Sequence, residues 1–275
     1  MDDVADATSV PPALVPRKRI RQDGSRLRSI AALVLREVQA LYGRSPGGYV
    51  WAILEPLGVI ILLAFAFSLL LRRPSLGDSF LLFYATGYLP FQLYGRLQQM
   101  VSQALKYSRS LLVYPVVTWF DAIVARILLH SLTGLVVAAM LLQGMIVVLD
   151  LDVHIDMMPV LIAFAVAIGL GAGIGMVNSV LQAYFPVWRT IWRIATQPLM
   201  LASGVLFIYE DLPTVAQGVL WYNPLLHVTA IARSGFFPTY DPQFVSPAFV
   251  GGTTFVLLFF GLLLIRRFND RAQSR

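Results

Sequence analysis

Six stretches of this chain are apolar for long enough to cross a lipid bilayer, and that leaves few folds open to it. A hydrocarbon core of about 30 Å takes roughly 20 residues of helix. Runs of that order lie near Tyr49–Leu71, Ser79–Leu97, Ile127–Leu149, Pro159–Phe185, Ile191–Ile208 and Pro247–Ile265. Inside lipid every backbone N–H and C=O must be satisfied without water, so such runs are expected to be helices. Composition agrees, since 57% hydrophobic residues against 13% charged is more apolar than one soluble core of 275 residues requires. The expected fold is an all-α integral membrane protein with six transmembrane helices.

Orientation follows from where Lys and Arg fall, because these residues favour cytoplasmic loops. Arg17, Lys18, Arg19, Arg21, Arg26, Arg28, Arg36 and Arg44 precede the first run, and Lys106 and Arg109 follow the second. Arg189 and Arg193 follow the fourth, and Arg266, Arg267, Arg271 and Arg275 close the chain. Both termini are therefore expected in the cytoplasm. The opposite side receives "DLDVHID" (Asp150–Asp156) and the segment Glu210–Ser246, where Arg233 is the sole Lys or Arg. Arg72 and Arg73 dissent. The net charge of +6 thus reflects topology and is no sign of an acidic ligand or of nucleic acid. "MDDVADATSVPPALVP" lacks the basic-then-apolar pattern of a cleaved signal peptide. With no cysteine, disulfides, thiolate nucleophiles and zinc–cysteine sites are excluded.

Residues 1–24 read as a disordered cytoplasmic arm, polar and proline-containing. Residues 25–48 read as an amphipathic interface helix and elbow. Ile30, Leu33, Val34, Val38 and Leu41 share one helical face, and "SPGG" (Ser45–Gly48) then turns the chain into the membrane. Residues 49–265 form the six-span domain and 266–275 a cytoplasmic tail. Between the second and third runs the chain is too polar to cross lipid, and reads as helix, short surface helix and re-entering helix. Before the last run, two short re-entrant periplasmic helices are expected. One runs through "LPTVAQGVLW" with Asp211 as its cap, the other through "LLHVTAIARSG" with Asn223 and Pro224 as N-cap and first turn.

Several motifs have plainer readings than their chemistry suggests. "GRSPG" (Gly43–Gly47) matches a nucleophile elbow, but Pro46 has no N–H for an oxyanion hole. Asp150, Asp152, His154 and Asp156 alternate as divalent-metal ligands do, yet read more simply as a solvated loop, so no metal is expected. "GLGAGIG" (Gly169–Gly175) lies mid-span, where small residues four apart serve close helix packing, and Gly171 and Gly175 are expected to support the dimer. The only lysines, Lys18 and Lys106, follow no glycine, so no Walker-type phosphate loop exists. Nucleotide cannot be hydrolysed by that route. Glu55, Arg96, Asp121, Arg126 and His130 are the ionisable residues near the spans. Such groups face the bundle interior or water, or snorkel to the interface. Asp121 and Arg126, five apart, make an intrahelical pair conceivable at poor spacing.

"LVLREVQALYGRSPGGYVWAILEPL" (Leu33–Leu57) resembles the amino-terminal signature of ABC-transporter permeases of the type-2 exporter class. With "GYLPFQLY" (Gly87–Tyr94), "SLLVYPVVTWFDAIVAR" (Ser110–Arg126) and "DLPTVAQGVLWYNPLLHVTAIARSGFF" (Asp211–Phe237), the chain looks like the KpsM-like capsular polysaccharide export permeases. The match runs in order from about Leu33 to Phe237. "SPGG" departs from the pattern, in which a bulkier residue commonly precedes the glycine.

That resemblance implies a homodimer in the bacterial inner membrane, joined to two separate ABC ATPase subunits and exporting lipid-linked polysaccharide to the periplasm. No cofactor belongs to this chain, since ATP and Mg sit on the partner. Periplasmic adaptor and outer-membrane export proteins are implied as further partners. The ATPase contact maps to about Gln103–Pro115, with Gln103, Lys106, Tyr107, Arg109, Leu111, Leu112 and Tyr114 as coupling residues. A substrate path is expected along Arg44, Tyr49, Trp51, Glu55, Tyr84, Tyr88, Arg96, Trp119 and Arg126. In this reading Glu55 lies about 9 Å inside the first span, at the positive start of a new helical segment opened by Pro56. Aromatic faces and Arg44 would meet sugar rings and a phosphate-linked lipid head there; the plainer reading is an anchored helix start. Rival functions are export of another lipid-linked glycan (O-antigen, teichoic acid), an intramembrane lipid or glycan transferase, and a pore needing no ATPase. The transferase would need acid, base and nucleophile at one depth, and no such cluster stands out.

Overall fold

The apolar runs fold as helices in a computed structural model of the chain, which describes residues 23–42, 47–104, 106 and 118–274. Ten α-helices and no strand occur among the described residues. They are α1 (Asp23–Tyr42), α2 (Gly48–Ser68), α3 (Phe80–Ser102), α4 (Trp119–Val148), α5 (Met157–Tyr184), α6 (Trp188–Thr196), α7 (Leu199–Ala202), α8 (Thr214–Leu220), α9 (Pro224–Ser234) and α10 (Pro247–Ser274). Four are both long and apolar enough to cross a membrane: α2, α4, α5 and α10.

The expected second span is different in kind. At 23 residues α3 has the length, about 34 Å, but Tyr84, Thr86, Tyr88, Gln92, Tyr94 and Arg96 make it less apolar than its neighbours. Its place in the bundle explains how it tolerates them. Leu82 through Pro90 are all buried, and α3 packs against α2, α4, α5 and α9. Tyr84, Thr86, Tyr88 and Tyr94 are buried against these helices, while Gln92 and Arg96 are half-buried.

The expected fifth span is not one helix. Pro198 has no N–H to give Ile194, so α6 ends at Thr196, and Gln197 N–H bonds the Ile194 carbonyl three residues back. The helical path resumes as the four-residue α7 and ends at Gly204, whose φ of +69° suits glycine. A Cβ there would also lie 2.6 Å from Leu226. From Ser203 to Ile208 the backbone is irregular.

Three smaller expectations change and a fourth holds. Pro56 opens no new segment, because α2 begins after Gly47, at φ +76°, and runs through the proline unbroken. The re-entering helix and the third span are one helix, α4, begun by a capping box in which Thr118 Oγ1 and Asp121 bond each other's backbone N–H. Asp121 is thus occupied at its own helix start. Asp211 does not cap α8; its Oδ2 accepts from Ser75 Oγ at 2.7 Å. Asn223 does cap α9, accepting from Leu225 N–H at 3.1 Å with Pro224 in the first turn.

The glycine run of α5 serves packing within the chain. Cβ atoms on Gly171 and Gly175 would lie 2.9 Å from the backbone oxygens of Tyr94 and Gln98 on α3. On Gly169 and Gly173 they would strike Thr254 and Leu257 of α10. Two glycine rows, each with a spacing of four and offset by two, therefore seat α5 between α3 and α10. The close helix packing expected of this run is therefore made within the chain, by Gly171 and Gly175 against α3 and by Gly169 and Gly173 against α10.

Segments expected on opposite sides of a membrane gather at opposite ends of the bundle. Leu97, Val101, Ala104, Ile123, Val180 and Ile265 form one apolar cluster, which brings together the end of α3, the start of α4 and the later turns of α5 and α10. At the other end, Ser75 bonds Asp211, Asp156 N–H bonds the Gly235 carbonyl at 2.9 Å, and Gly77 sits against the Phe237 ring. Arg72 and Arg73 belong to this acidic end and are exposed. Residues 1–22 of the arm, the elbow residues 43–46 and most of the coupling segment lie outside the described residues, and Asp23 and Gly24 open α1.

Candidate functional site

Asn223, the N-cap of α9, and two residues of that helix explain how the broken segment expected as the fifth span survives beside buried helices. Irregular backbone away from water needs internal partners. Asn223 Nδ2 donates to the Ala202 carbonyl at 2.9 Å, and Thr229 Oγ1 to Ser203 at 2.8 Å. Arg233 Nη1 reaches the carbonyls of Gly204 and Phe207, both at 2.7 Å, and Nη2 that of Val205 at 2.8 Å. Five consecutive or near-consecutive carbonyls are thereby bonded from one helix. Arg233 is 1% exposed, and its guanidinium carbon lies 4.0 Å from the centre of the Phe83 ring. Gly87 leaves room for it, since a Cβ there would lie 2.8 Å from Nη2. Next to it, burial and then the charge of Glu210 push the Tyr240 phenol well above its ordinary range, so it stays a donor to Glu210 Oε2.

The other end of the same passage borders a polar groove of about 510 Å³ between α3, α5 and α6. Arg189 and Arg193 line it from α6, Gln98, Gln99 and Gln103 from α3, and Gln182 from α5. Trp188 and Trp192 lie one turn apart with ring centres at 6.2 Å and planes at 28°. Each indole is tied down: Trp188 Nε1 donates to Asn178 Oδ1 at 2.9 Å and Trp192 Nε1 to Gln98 Oε1 at 3.1 Å. Asn178 Nδ2 donates to the same Gln98 oxygen at 3.2 Å.

Arg126, expected on the substrate path, is a buried clamp. Its Nη2 meets Glu37 Oε1 at 2.8 Å and its Nη1 the Met100 carbonyl at 2.8 Å. Glu37 follows Ile30 by seven residues and Leu33 by four, so it lies within the apolar face of α1 that packs on α4. One side chain thus ties α1, α3 and α4 together where the coupling segment leaves the bundle. Arg126→Ala should lower the unfolding free energy by about 3 kcal/mol, the low end for breaking a buried pair because Glu37 keeps 22% exposure. Glu37→Leu combined with Arg126→Met should recover part of the loss. Thermal unfolding of the parent, Arg126→Ala, Glu37→Leu, Arg126→Met and the double variant measures this, and simple additivity of Glu37→Leu and Arg126→Met in the double would refute it.

The remaining expected residues scatter. Trp51 is 63% exposed and Glu55 is exposed on α2, while Tyr49 is in α2. Tyr84 is buried among Phe67, Phe80 and Phe83, and Tyr88 is buried on the same helix. Arg96 borders a narrow cavity with Ala52, Gln92 and Thr133. Trp119 is half-buried, edge-on to Phe120. Gln103 caps α3 and Lys106 is exposed. Arg44, Tyr107, Arg109, Leu111, Leu112 and Tyr114 lie outside the described residues. Sequence reasoning missed Trp188, Trp192, Gln98 and Asn178; the signal available was the alternation of Arg and Trp in "WRTIWR", too polar for an ordinary span.

Known proteins resemble this chain over most of its length. At 29% identity it matches the polysialic acid transport protein KpsM of Escherichia coli, over 86% of this chain and 92% of that one. The capsule polysaccharide export inner-membrane proteins CtrC of Neisseria meningitidis and BexB of Haemophilus influenzae match at 25% and 26%, each over 90% of this chain and 94% of its own. The family model for ABC-2 type transporters matches residues 28–237, well over half of the chain, from α1 to the residues that close α9. The chain therefore belongs to the ABC-2 type transporter membrane family.

Proposed function

We propose that this chain is the membrane-spanning subunit of an ATP-driven exporter that moves lipid-linked capsular polysaccharide from cytoplasm to periplasm. The observation that carries the reading is likeness over 86% of the chain to a polysialic acid transport protein and over 90% to two capsule polysaccharide export inner-membrane proteins. The sequence supports it by what it lacks, since without a phosphate loop the energy comes from separate ATPase subunits that hold ATP and Mg. The working unit is a homodimer in the inner membrane, docked to ATPases near Gln103–Pro115 and joined to periplasmic and outer-membrane export proteins. It has six passes with both termini in the cytoplasm, the fifth being the broken passage through α6 and α7. The path starts at the Arg-rich end, near Arg44, Trp51 and Glu55.

Deleting the gene from an encapsulated host should trap polymer inside the cell, and the intact chain should restore export. Unchanged capsule with loss of another surface glycan would move the substrate to O-antigen or teichoic acid. Topology is checked with single cysteines in this cysteine-free chain. A probe confined to the periplasm should label Asp152→Cys and Asp241→Cys and spare Lys106→Cys and Ala272→Cys. Labelling of position 106 from outside would overturn the orientation.

A further inference from the structure

The polarity of the hydrogen bonds around the α3–α5–α6 groove is fixed by its two tryptophans. An indole N–H only donates, so the atom of Asn178 facing Trp188 must be its oxygen, and Asn178 therefore presents its NH2 to Gln98. Trp192 makes the same demand independently. Gln98 consequently receives two donors on Oε1, and its own NH2 has no acceptor among the described residues. Asn178 is 1% exposed, which holds the relay in place.

The rest of the groove offers guanidinium groups, neutral amides and the hydroxyls of Ser102, Thr190 and Thr196. Arg189 and Arg193 are exposed, four residues apart on one face of α6, and among the described residues no carboxylate lines the groove. In an ordinary membrane-embedded helix the polar face would be suppressed. Here it turns toward Gln99, Gln103 and Gln182. Guanidinium groups bind carboxylate or phosphate oxygens by paired N–H donors, amides bond hydroxyls, and Trp192, stacked on Trp188, lines the groove with an indole.

We propose that this groove is a binding station for an anionic glycan, with Arg189 and Arg193 holding the charged substituent and the Gln98 amino group positioned by Trp192 to donate to the sugar. The inference rests on the export reading above and names the substrate chemistry for a site that the reading did not contain. It places that chemistry beside the broken fifth passage, at the bundle end where the coupling segment leaves α3.

The test uses the full-length chain in lipid nanodiscs, titrated with a sialic acid hexamer as a carboxylate-bearing probe and followed by tryptophan fluorescence. Neutral maltohexaose and vesicles containing phosphatidylglycerol serve as competitors, the second to separate a glycan charge from a lipid headgroup. The expected result is saturable binding of the acidic hexamer, weakened at least tenfold by Arg189→Ala with Arg193→Ala. Trp192→Phe, which keeps a ring and loses the N–H, should weaken it several-fold, with an unchanged unfolding midpoint in each variant. Equal binding of maltohexaose, displacement by phosphatidylglycerol alone, or unaltered affinity in the double variant would each overturn the proposal. Export is scored in the same strains: normal export by the groove variants removes this inference and leaves the permease reading intact, whereas failure of the intact chain to restore export removes that reading.

Discussion

Gly173→Leu and Gly175→Leu chains will fail to accumulate as folded protein, whereas Gly58→Leu and Gly251→Leu chains will behave like the parent. All four glycines sit in apolar helices, so composition alone separates none of them. Contact distances do. A Cβ on Gly173 would lie 2.8 Å from Leu257 Cβ and 2.9 Å from the Leu257 backbone, and one on Gly175 2.7 Å from Val101 Cβ and 2.9 Å from the Gln98 carbonyl. A Cβ on Gly58 or Gly251 would meet no described atom within 4 Å beyond its own stretch of helix. Overpacking by one or two methylenes costs about 1–3 kcal/mol, and leucine would place four carbons where backbone already stands. Neither α3 nor α10 can yield locally, since the obstacle is main chain and not a flexible side-chain tip. Folded yield, read by size-exclusion profile in mild detergent after equal expression, checks this. Comparable monodisperse yields of Gly175→Leu and Gly251→Leu would refute the two-row packing.

Hydropathy carried the fold as far as single-helix arguments reach. Four runs became long apolar helices, though α4 begins eight residues before the expected Ile127 and α10 runs nine past the expected Ile265, because hydropathy marks the apolar stretch and not the helix end. α3 and the fifth run were harder for one physical reason. Their polar residues are satisfied by other helices, and partners distant in sequence leave no local trace. Pro198 and Gly204 did mark the break of the fifth run, as helix breakers should, but hydropathy over Ile191–Ile208 outweighed them. Arg126 shows the same limit from the other side. Its only near acidic neighbour in sequence was Asp121, while its actual partner, Glu37, is 89 residues away on α1. The α9 motif was legible through resemblance, and its cap through Asn223 and Pro224, but not the task of Arg233, which as the single basic residue of its segment looked like an exception to the charge rule.

Arg233→Met will open the irregular backbone that follows α7, and its effect will be the largest of any single polar substitution in the chain. Methionine keeps the apolar stem and removes donors to three carbonyls, at Gly204, Val205 and Phe207, which are supplied from nowhere else among the described residues. Leaving a buried carbonyl unbonded costs about 1–3 kcal/mol each, so a loss on the order of 3–5 kcal/mol is expected after partial rehydration. Arg233→Lys will recover little, because one ammonium replaces two nitrogens that reach different carbonyls. Gly87→Ala offers an independent probe, since its Cβ would press on Nη2 at 2.8 Å and on the Val205 Cα at 3.3 Å. If the guanidinium is what Gly87 accommodates, Gly87→Ala will be distinctly milder in the Arg233→Met background than in the parent. Limited proteolysis should then cut near residues 203–211 in Arg233→Met while α5 and α10 stay protected. An unfolding midpoint equal to the parent's, with no new cleavage, would mean that solvent or another group already satisfies those carbonyls, and that α9 lies beside the fifth passage without holding it.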